Sequence, residues 1–151
     1  MNQNKIRPQL LWDLYQISTN SARELLITHR FRFLKRLENL TLYQSHGEAF
    51  TLTEEGGVVT NVKYKMRDEA AYYTCIKYAK EALNFETIFE KHEPSAYIQR
   101  LDDEKCTLVG MMIQGEGNYQ SFGITLLDKL PLPNPENRVE VILYPPPGSS
   151  F

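Results

Sequence analysis

The stretch YIQRLDDEKCTLVGMMIQGEGNYQSFGITLL, residues 97–127, decides the fold that the sequence predicts. It contains three largely apolar runs, separated by the short polar segments Asp102–Lys105 and Gly115–Asn118. Such runs joined by short turn-forming loops are typical of antiparallel strands, because parallel strands need a much longer crossover. The sequence therefore predicts a meander of three strands, Tyr97–Leu101, Cys106–Gln114 and Tyr119–Leu127.

A hairpin is predicted upstream of this meander. Phe50–Thr53 and Val58–Lys65 flank the turn-prone segment Glu54–Gly57, and apolar residues alternate with polar ones along Val58–Lys65. Alternation of this kind is the pattern of a half-buried strand. Between the hairpin and the meander, Asp68 can cap a helix in which Tyr72 and other apolar residues recur at helical spacing.

The ends of the chain carry further elements. Pro8 suits the first turn of a helix that ends near Ser18, because its fixed φ matches a helix and its missing N–H is not needed there. After the meander, Pro131, Pro133 and Pro135 make an extended connection, since proline removes ladder donors. Arg138–Tyr144 is then predicted as a last strand.

A second helix is predicted from about Ser21 to Leu40. The segment Ser21–Glu24 has the form of a capping box, in which serine and glutamate satisfy free backbone donors. Its apolar residues lie on one helical stripe: Ala22, Leu26, Phe33, Leu37 and Leu40. A buried Phe33 would make Phe33→Ala cost about 3–5 kcal/mol of stability.

Together these elements predict one α+β domain spanning residues 1–151, with short disordered ends at about 1–6 and 145–151. A single curved antiparallel sheet packed on helices, in the order α-α-β-β-α-β-β-β-β, is the simplest way to bury the apolar stripes. This order resembles the nuclear-transport-factor-2-like cone, and its hairpin-helix-meander part resembles the PAS and profilin type of sheet. Both resemblances are topological, and a fold alone does not specify a function.

Composition favours a soluble, cytoplasmic protein without a membrane segment. The apolar fraction is 42% and the charged fraction 24%, and no run reaches the length of a membrane span. No apolar stretch followed by a cleavage site marks a secretory signal near Met1. Cys75 and Cys106 are expected to be core residues without a disulfide.

Motifs of catalysis and cofactor binding are missing, so an enzyme is the less favoured class. Gly115–Gly117 lacks the third glycine of a dinucleotide loop, and the three carboxylates Asp102–Glu104 are typical of a solvated turn. His46 and Glu48 could form a base with its orienting partner, but a structural turn is the favoured interpretation. No cofactor and no metal site are predicted.

Two groups of residues are candidates for binding. Tyrosines have an apolar body and a polar tip, which suits ligand pockets and partner surfaces; the candidates are Tyr64, Tyr72, Tyr73, Tyr97 and Tyr119. The second group interleaves cations with aromatics, which can bind phosphates and stack on bases; it consists of Arg30, Arg32, Lys35 and Arg36. Residues 1–45 carry a net charge of +4 although the whole chain carries −2.

The first functional hypothesis is a non-catalytic regulator or adaptor that recognises a protein partner through its sheet or its tyrosine-rich surface. The second is an enzyme or small-ligand carrier with a cavity between sheet and helices. The third is nucleic-acid binding through the basic second helix, which the overall acidity disfavours. Homo-oligomerisation is left open.

Overall fold

The computed structural model describes residues 3–133, and their side chains from Arg7 onward. Within that range the chain forms three helices and eight strands. The helices are α1 Gln3–Leu14, α2 Thr19–Thr28 and α3 Glu69–Ala82. The strands are β1 Arg32–Leu37, β2 Leu40–Ser45, β3 Glu48–Glu55, β4 Val58–Met66, β5 Glu86–His92, β6 Ala96–Asp102, β7 Cys106–Gln114 and β8 Tyr119–Asp128.

The described strands form one antiparallel sheet in the order β1-β2-β3-β4-β8-β7-β6-β5. Strands β1–β4 make one meander and strands β5–β8 make a second, and the pairing of β4 with β8 joins them. Helix α3 connects the two meanders. The predicted α+β class, with a single antiparallel sheet on helices, is confirmed.

The predicted hairpin and three-stranded meander are confirmed. Strands β3 and β4 are joined by Gly56 and Gly57, whose φ angles of +60° and +78° suit a two-residue hairpin turn. Strands β6, β7 and β8 lie within two residues of their predicted bounds. Asp68 caps α3 as expected, because its side chain accepts a hydrogen bond of 2.9 Å from the backbone N–H of Ala71.

The prediction that the second helix extends to Leu40 is wrong. Helix α2 starts after Ser18, whose side chain accepts from the backbone N–H of Ser21. It ends at Thr28, and Arg30 then adopts a φ of +68°. The N–H groups of Arg30 and Phe31 donate to the carbonyls of Ile27 and Leu26, at 3.0 and 2.9 Å. These two bonds make a Schellman motif, which ends the helix.

Residues 32–45, expected to lie in helix or loop, instead form the hairpin of β1 and β2. Phe33 and Leu37 are 46% and 57% exposed, so they do not belong to a buried helical stripe. The stability cost predicted above for Phe33→Ala rested on that stripe and is withdrawn. Phe33 packs edge-on against Tyr43, with ring centroids 5.8 Å apart.

Other bounds differ as well. Helix α1 begins at Gln3, ahead of Pro8, and ends at Leu14. Strand β5, which precedes Pro94, was not predicted. The predicted strand Arg138–Tyr144 and the predicted end at 145–151 lie outside the described residues.

The helices cover one face of the sheet, and the main core lies between the helices and that face. Phe50, Tyr64 and Tyr72 are among its largest fully buried side chains. Alternate residues of β6 face the other way, where Ile98 forms a second cluster with Phe89 and Met111. On this outer face the buried Arg100 guanidinium donates to both carboxylate oxygens of Asp102 and to the carbonyls of Leu130 and Pro131. That clamp holds the chain beyond β8 against the sheet.

Phe50 and Phe33 provide a matched test of this arrangement. Phe50 is fully buried between Phe31 and Tyr64, so Phe50→Ala should lower the free energy of unfolding by about 3–5 kcal/mol. Phe33→Ala should cost about 1 kcal/mol, because half of the ring already meets solvent. Urea unfolding of both variants measures the difference. Equal costs would contradict the assigned edge position of Phe33.

Candidate functional site

One candidate site is the edge hairpin, which we define as residues Arg32–Ser45. Strand β1 pairs only with β2 among the described strands, so the backbone groups along its other side meet no strand of the described chain. The pairing slips between Phe33 and Lys35, which marks a bulge in β1. Bulges and charged side chains are ways in which proteins guard an exposed edge against aggregation.

Large apolar side chains are nevertheless exposed on both faces of this edge: Phe33 is opposite Tyr43 on the helix side, and Leu37 is opposite Leu40 on the outer side. The exposed ones are Phe33, Leu34, Leu37 and Leu40 on the hairpin and Ile27 on the adjacent α2. Single exposed apolar residues are normal, but several within one hairpin and the helix beside it favour an interaction surface. The Arg23 guanidinium lies over the Phe33 ring, 5.9 Å from its centroid, and adds a cation to the group.

A buried carboxylate lies beneath the tip of the hairpin. Glu54 accepts a hydrogen bond from the Thr41 hydroxyl, and its Oε1 lies 3.9 Å from Nη1 of Arg36. Its other oxygen, Oε2, is buried and has no hydrogen-bond partner among the described residues. An unsatisfied buried acceptor costs about 1–3 kcal/mol, so this end of the hairpin is not optimised for stability alone.

The second candidate site is a cavity of about 420 Å³, which we call the arginine cavity. Arg7, Arg30 and Arg67 line it, together with Glu48 and Tyr64. These residues come from α1, the end of α2, the segment before α3, β3 and β4. The cavity therefore lies at the junction of the helices and the sheet.

Glu48 organises the floor of the arginine cavity. Its side chain is nearly buried, and Arg7 donates to it twice, from Nε at 2.9 Å and from Nη2 at 3.4 Å. The Tyr64 hydroxyl also donates to Glu48, and Nη2 of Arg67 lies 3.6 Å from its Oε2. The Arg7 guanidinium in turn lies over the ring of Phe31, at 4.9 Å. The carboxylate thus ties α1 to the sheet.

Two groups that line this cavity, the Tyr64 phenol and the Cys75 thiol, are not activated for proton transfer or nucleophilic attack near neutral pH. Burial raises the pKa of the Tyr64 phenol, and the hydrogen bond to Glu48 adds to that effect. Burial, with the nearby Glu48 charge, raises the pKa of the Cys75 thiol to about 12. A reactive cysteine needs a lowered pKa, so Cys75 is a protonated core thiol at neutral pH. Glu48 forms no hydrogen bond with the His46 imidazole; His46 instead offers its backbone carbonyl to Nε of Arg67.

The structure divides the predicted tyrosines. Tyr64 lies in the arginine cavity, whereas Tyr72 is buried on the other side of α3, where its hydroxyl accepts from Nε2 of Gln99 at 2.7 Å. Gly110 lies against Tyr72, and a Cβ on this glycine would come within 2.4 Å of the hydroxyl. Tyr72 is therefore a core residue that a partner of the folded chain cannot reach.

The remaining predicted tyrosines lie nearer the surface. Tyr97 is almost buried on β6, where it donates to Glu90, and burial raises the pKa of its phenol. Tyr73 is half exposed and packs edge-on against Tyr72, while Tyr119 packs against the main core. A partner-binding role for Tyr73, Tyr97 and Tyr119 stays a prediction.

The four predicted cations do not share one helical face. Arg32, Lys35 and Arg36 lie on β1, and Arg30 lies in the turn that precedes it. Arg36 is opposite Thr41 on the helix side of the sheet, whereas Arg32 and Lys35 are opposite Gln44 and Leu42 on the outer side. The cations therefore surround the edge hairpin, and Arg30 also reaches the arginine cavity.

The arginine cavity was not predicted as a site. In the sequence, Glu48 stands out only because His46 is close to it. The side chains that contact Glu48 in the structure, Arg7 and Tyr64, are 41 and 16 residues away. The described residues contain no group of three or more histidine, cysteine or acidic side chains that could hold a metal ion. No helix within residues 3–133 is long and apolar enough to cross a membrane.

No protein-family model, curated protein or solved structure matches this chain. The resemblances to the nuclear-transport-factor-2-like cone and to PAS and profilin sheets therefore stay topological analogies. Arguments about function have to come from the edge hairpin and the arginine cavity themselves.

Glu48→Ala should destabilise the fold strongly. The substitution leaves Arg7 and the buried Tyr64 hydroxyl without their acceptor, which should lower the free energy of unfolding by about 3 kcal/mol. Glu81→Ala is the control, because Glu81 makes only an exposed ion pair with Lys77. That control should change stability by about 0.5 kcal/mol or less. Similar losses in urea unfolding of the two variants would refute the organising role of Glu48.

Cys75 should resist alkylation in the folded chain. With Cys106→Ser leaving Cys75 as the remaining cysteine, iodoacetamide at pH 8 should react roughly a thousandfold more slowly than in urea, because the pKa moves from 9.0 to about 12. Thiol quantification over time measures both rates. Rapid labelling of the folded chain would show that Cys75 is accessible and ionised.

The same pKa fixes the sign of the pH dependence. Well below pH 9 the Cys75 thiol is protonated in both the folded and the unfolded chain, so it does not change the free energy of unfolding. From pH 9 toward 12 the unfolded chain releases the proton and the folded chain keeps it, so the free energy of unfolding falls as pH rises.

Proposed function

We propose that this chain is a non-catalytic binding protein, a regulator or adaptor that recognises a protein partner through its edge hairpin. The partner would supply an extended segment that pairs with the free side of β1. Adding a strand to an exposed sheet edge is a common mode of peptide recognition, in which backbone hydrogen bonds give affinity and side-chain contacts give specificity.

The observation that carries this proposal is the exposure of three large apolar side chains on an edge strand. Phe33, Leu34 and Leu37 are each close to half exposed or more. A partner strand would remove this surface from water and satisfy the unpaired backbone groups of β1 at the same time.

The charges on the hairpin define the partner's chemistry. Arg32, Lys35 and Arg36 flank the apolar residues, and Arg32 and Lys35 have no ion pair within the described part of the chain. An extended segment in which apolar and acidic residues alternate would place its carboxylates on the outer face, against Arg32 and Lys35, and its apolar side chains on the helix side, near Phe33. The other sheet edge, β5, carries Glu86 and Glu90 and lacks this positive character.

Two groups of the arginine cavity support the non-catalytic part of the proposal. Both Tyr64 and Cys75 have raised pKa values, and neither is set up to take or give a proton near neutral pH. Nucleic-acid binding gains less support, because the four cations face different sides of the hairpin and apolar residues separate them.

A peptide-display selection against the full chain tests the proposal. The selected peptides should alternate apolar and acidic residues, and their affinity can be measured by fluorescence polarisation. Lys35→Glu and Leu37→Asp should each weaken binding by about tenfold or more, because they repel the acidic residues and remove apolar contact. Lys77→Glu, an equal charge change at an exposed position of α3, should leave affinity unchanged.

Three outcomes would reject the proposal. Selected peptides that bind Lys35→Glu and Leu37→Asp as tightly as the native chain would place the contact elsewhere. Concentration-dependent association in sedimentation, lost in Leu37→Asp, would identify a second copy of the chain as the occupant. Tight, salt-sensitive oligonucleotide binding lost in Lys35→Glu would move the function to nucleic acid.

A further inference from the structure

The arginine cavity has the size of a small-molecule site. Its volume of about 420 Å³ lies within the range of about 300–1,000 Å³ that is usual for pockets that hold small organic ligands. The Tyr64 ring on its floor is stacked on Phe50, with centroids 4.5 Å apart, so the floor is rigid. The cavity is thus already formed in the free chain.

Positive charge prevails around this cavity. Three guanidinium groups line it, against the two carboxylates Glu48 and Asp68. Asp68 is engaged as the cap of α3, and Glu48 accepts from Arg7 and Tyr64. Because Arg7 pairs with Glu48, Arg30 and Arg67 leave the cavity with a net positive charge against Asp68.

Two of the arginines keep unused donors. The Arg30 side chain makes no hydrogen bond or ion pair with any residue between 7 and 133 that the structure describes. Arg67 is 59% exposed and donates from Nε to His46, while its Nη2 approaches Glu48 only to 3.6 Å. A planar guanidinium with free N–H groups is suited to grip a carboxylate or phosphate through two hydrogen bonds.

We propose that the arginine cavity binds a small organic anion, whose carboxylate or phosphate group is held by Arg30 and Arg67. The organic part of the ligand occupies the space above Tyr64. Cys75 stays protonated beside it, so the ligand is bound without being attacked. This proposal is independent of the edge hairpin's partner, since the two surfaces use different side chains.

The test compares three probes of similar size: phenyl phosphate, benzoate and the uncharged benzyl alcohol. Isothermal titration calorimetry should detect binding of at least one anion and none of benzyl alcohol. The anion that binds more tightly identifies the preferred group. Arg30→Gln should lower that affinity by about tenfold, the value of one or two charged hydrogen bonds, and Arg30→Lys should restore part of it.

Arg32→Gln is the matched control. It removes the same charge from an exposed arginine two residues away that does not line the cavity. Affinity should therefore stay unchanged in this variant, and urea unfolding of both variants confirms that they fold. Equal losses for Arg30→Gln and Arg32→Gln would show general charge attraction and overturn the proposal, as would failure of both anions to bind.

Discussion

The pairing of β4 with β8 is the constraint on which the rest of the structure depends. Residues from Asn61 to Met66 pair with residues from Leu127 to Phe122, so contacts about sixty residues apart in sequence join the two meanders into one sheet. Without this pairing each meander would expose an apolar face and two edges. With this pairing, α3 must cross the sheet, so that β5 starts at the edge opposite β1. Strands β1 and β5 are therefore the two edges. The position of the edge hairpin is thus a consequence of the topology, and the exposed apolar residues on it have no further strand of the described chain to cover them.

Strands with clear alternation and turn residues could be predicted, whereas the end of α2 could not. The two glycines after Glu55 and the polar loops before Cys106 and Tyr119 identify turns by chemistry that is visible in the sequence. Helix α2 ends without glycine or proline, because Arg30 takes the left-handed position that glycine usually fills. The apolar residues beyond it fit a helical stripe as well as a strand, and the burial of Phe31 against Phe50, with the Schellman hydrogen bonds, ends the helix. Strand β5 escaped prediction because it is short and carries charged residues at both ends.

The candidate sites also depend on contacts that local sequence patterns do not reveal. The sequence shows the basic character of residues 1–45, but it does not show which of these cations pair with acidic residues. Arg7 and Arg36 do so, through Glu48 and Glu54. Arg30, Arg32 and Lys35 have no ion pair within the described residues, and Arg30 gives the arginine cavity its excess of positive charge. Which cations are paired depends on contacts across tens of residues, and local spacing carries no information about them.

The edge hairpin and the arginine cavity share one turn. Arg30 lines the cavity, Phe31 lies under the Arg7 guanidinium, and Arg32 begins β1. The two hydrogen bonds of the Schellman motif fix this turn against α2, and the buried Phe31 ring fixes it against Phe50. Because this turn is fixed on two sides, it moves little on its own. The start of β1 and the rim of the arginine cavity therefore keep a constant relative position. Because both binding surfaces depend on that position, a change at Phe31 that loosened the turn would disturb both, whereas changes at Leu37 or Arg67 would affect one surface each.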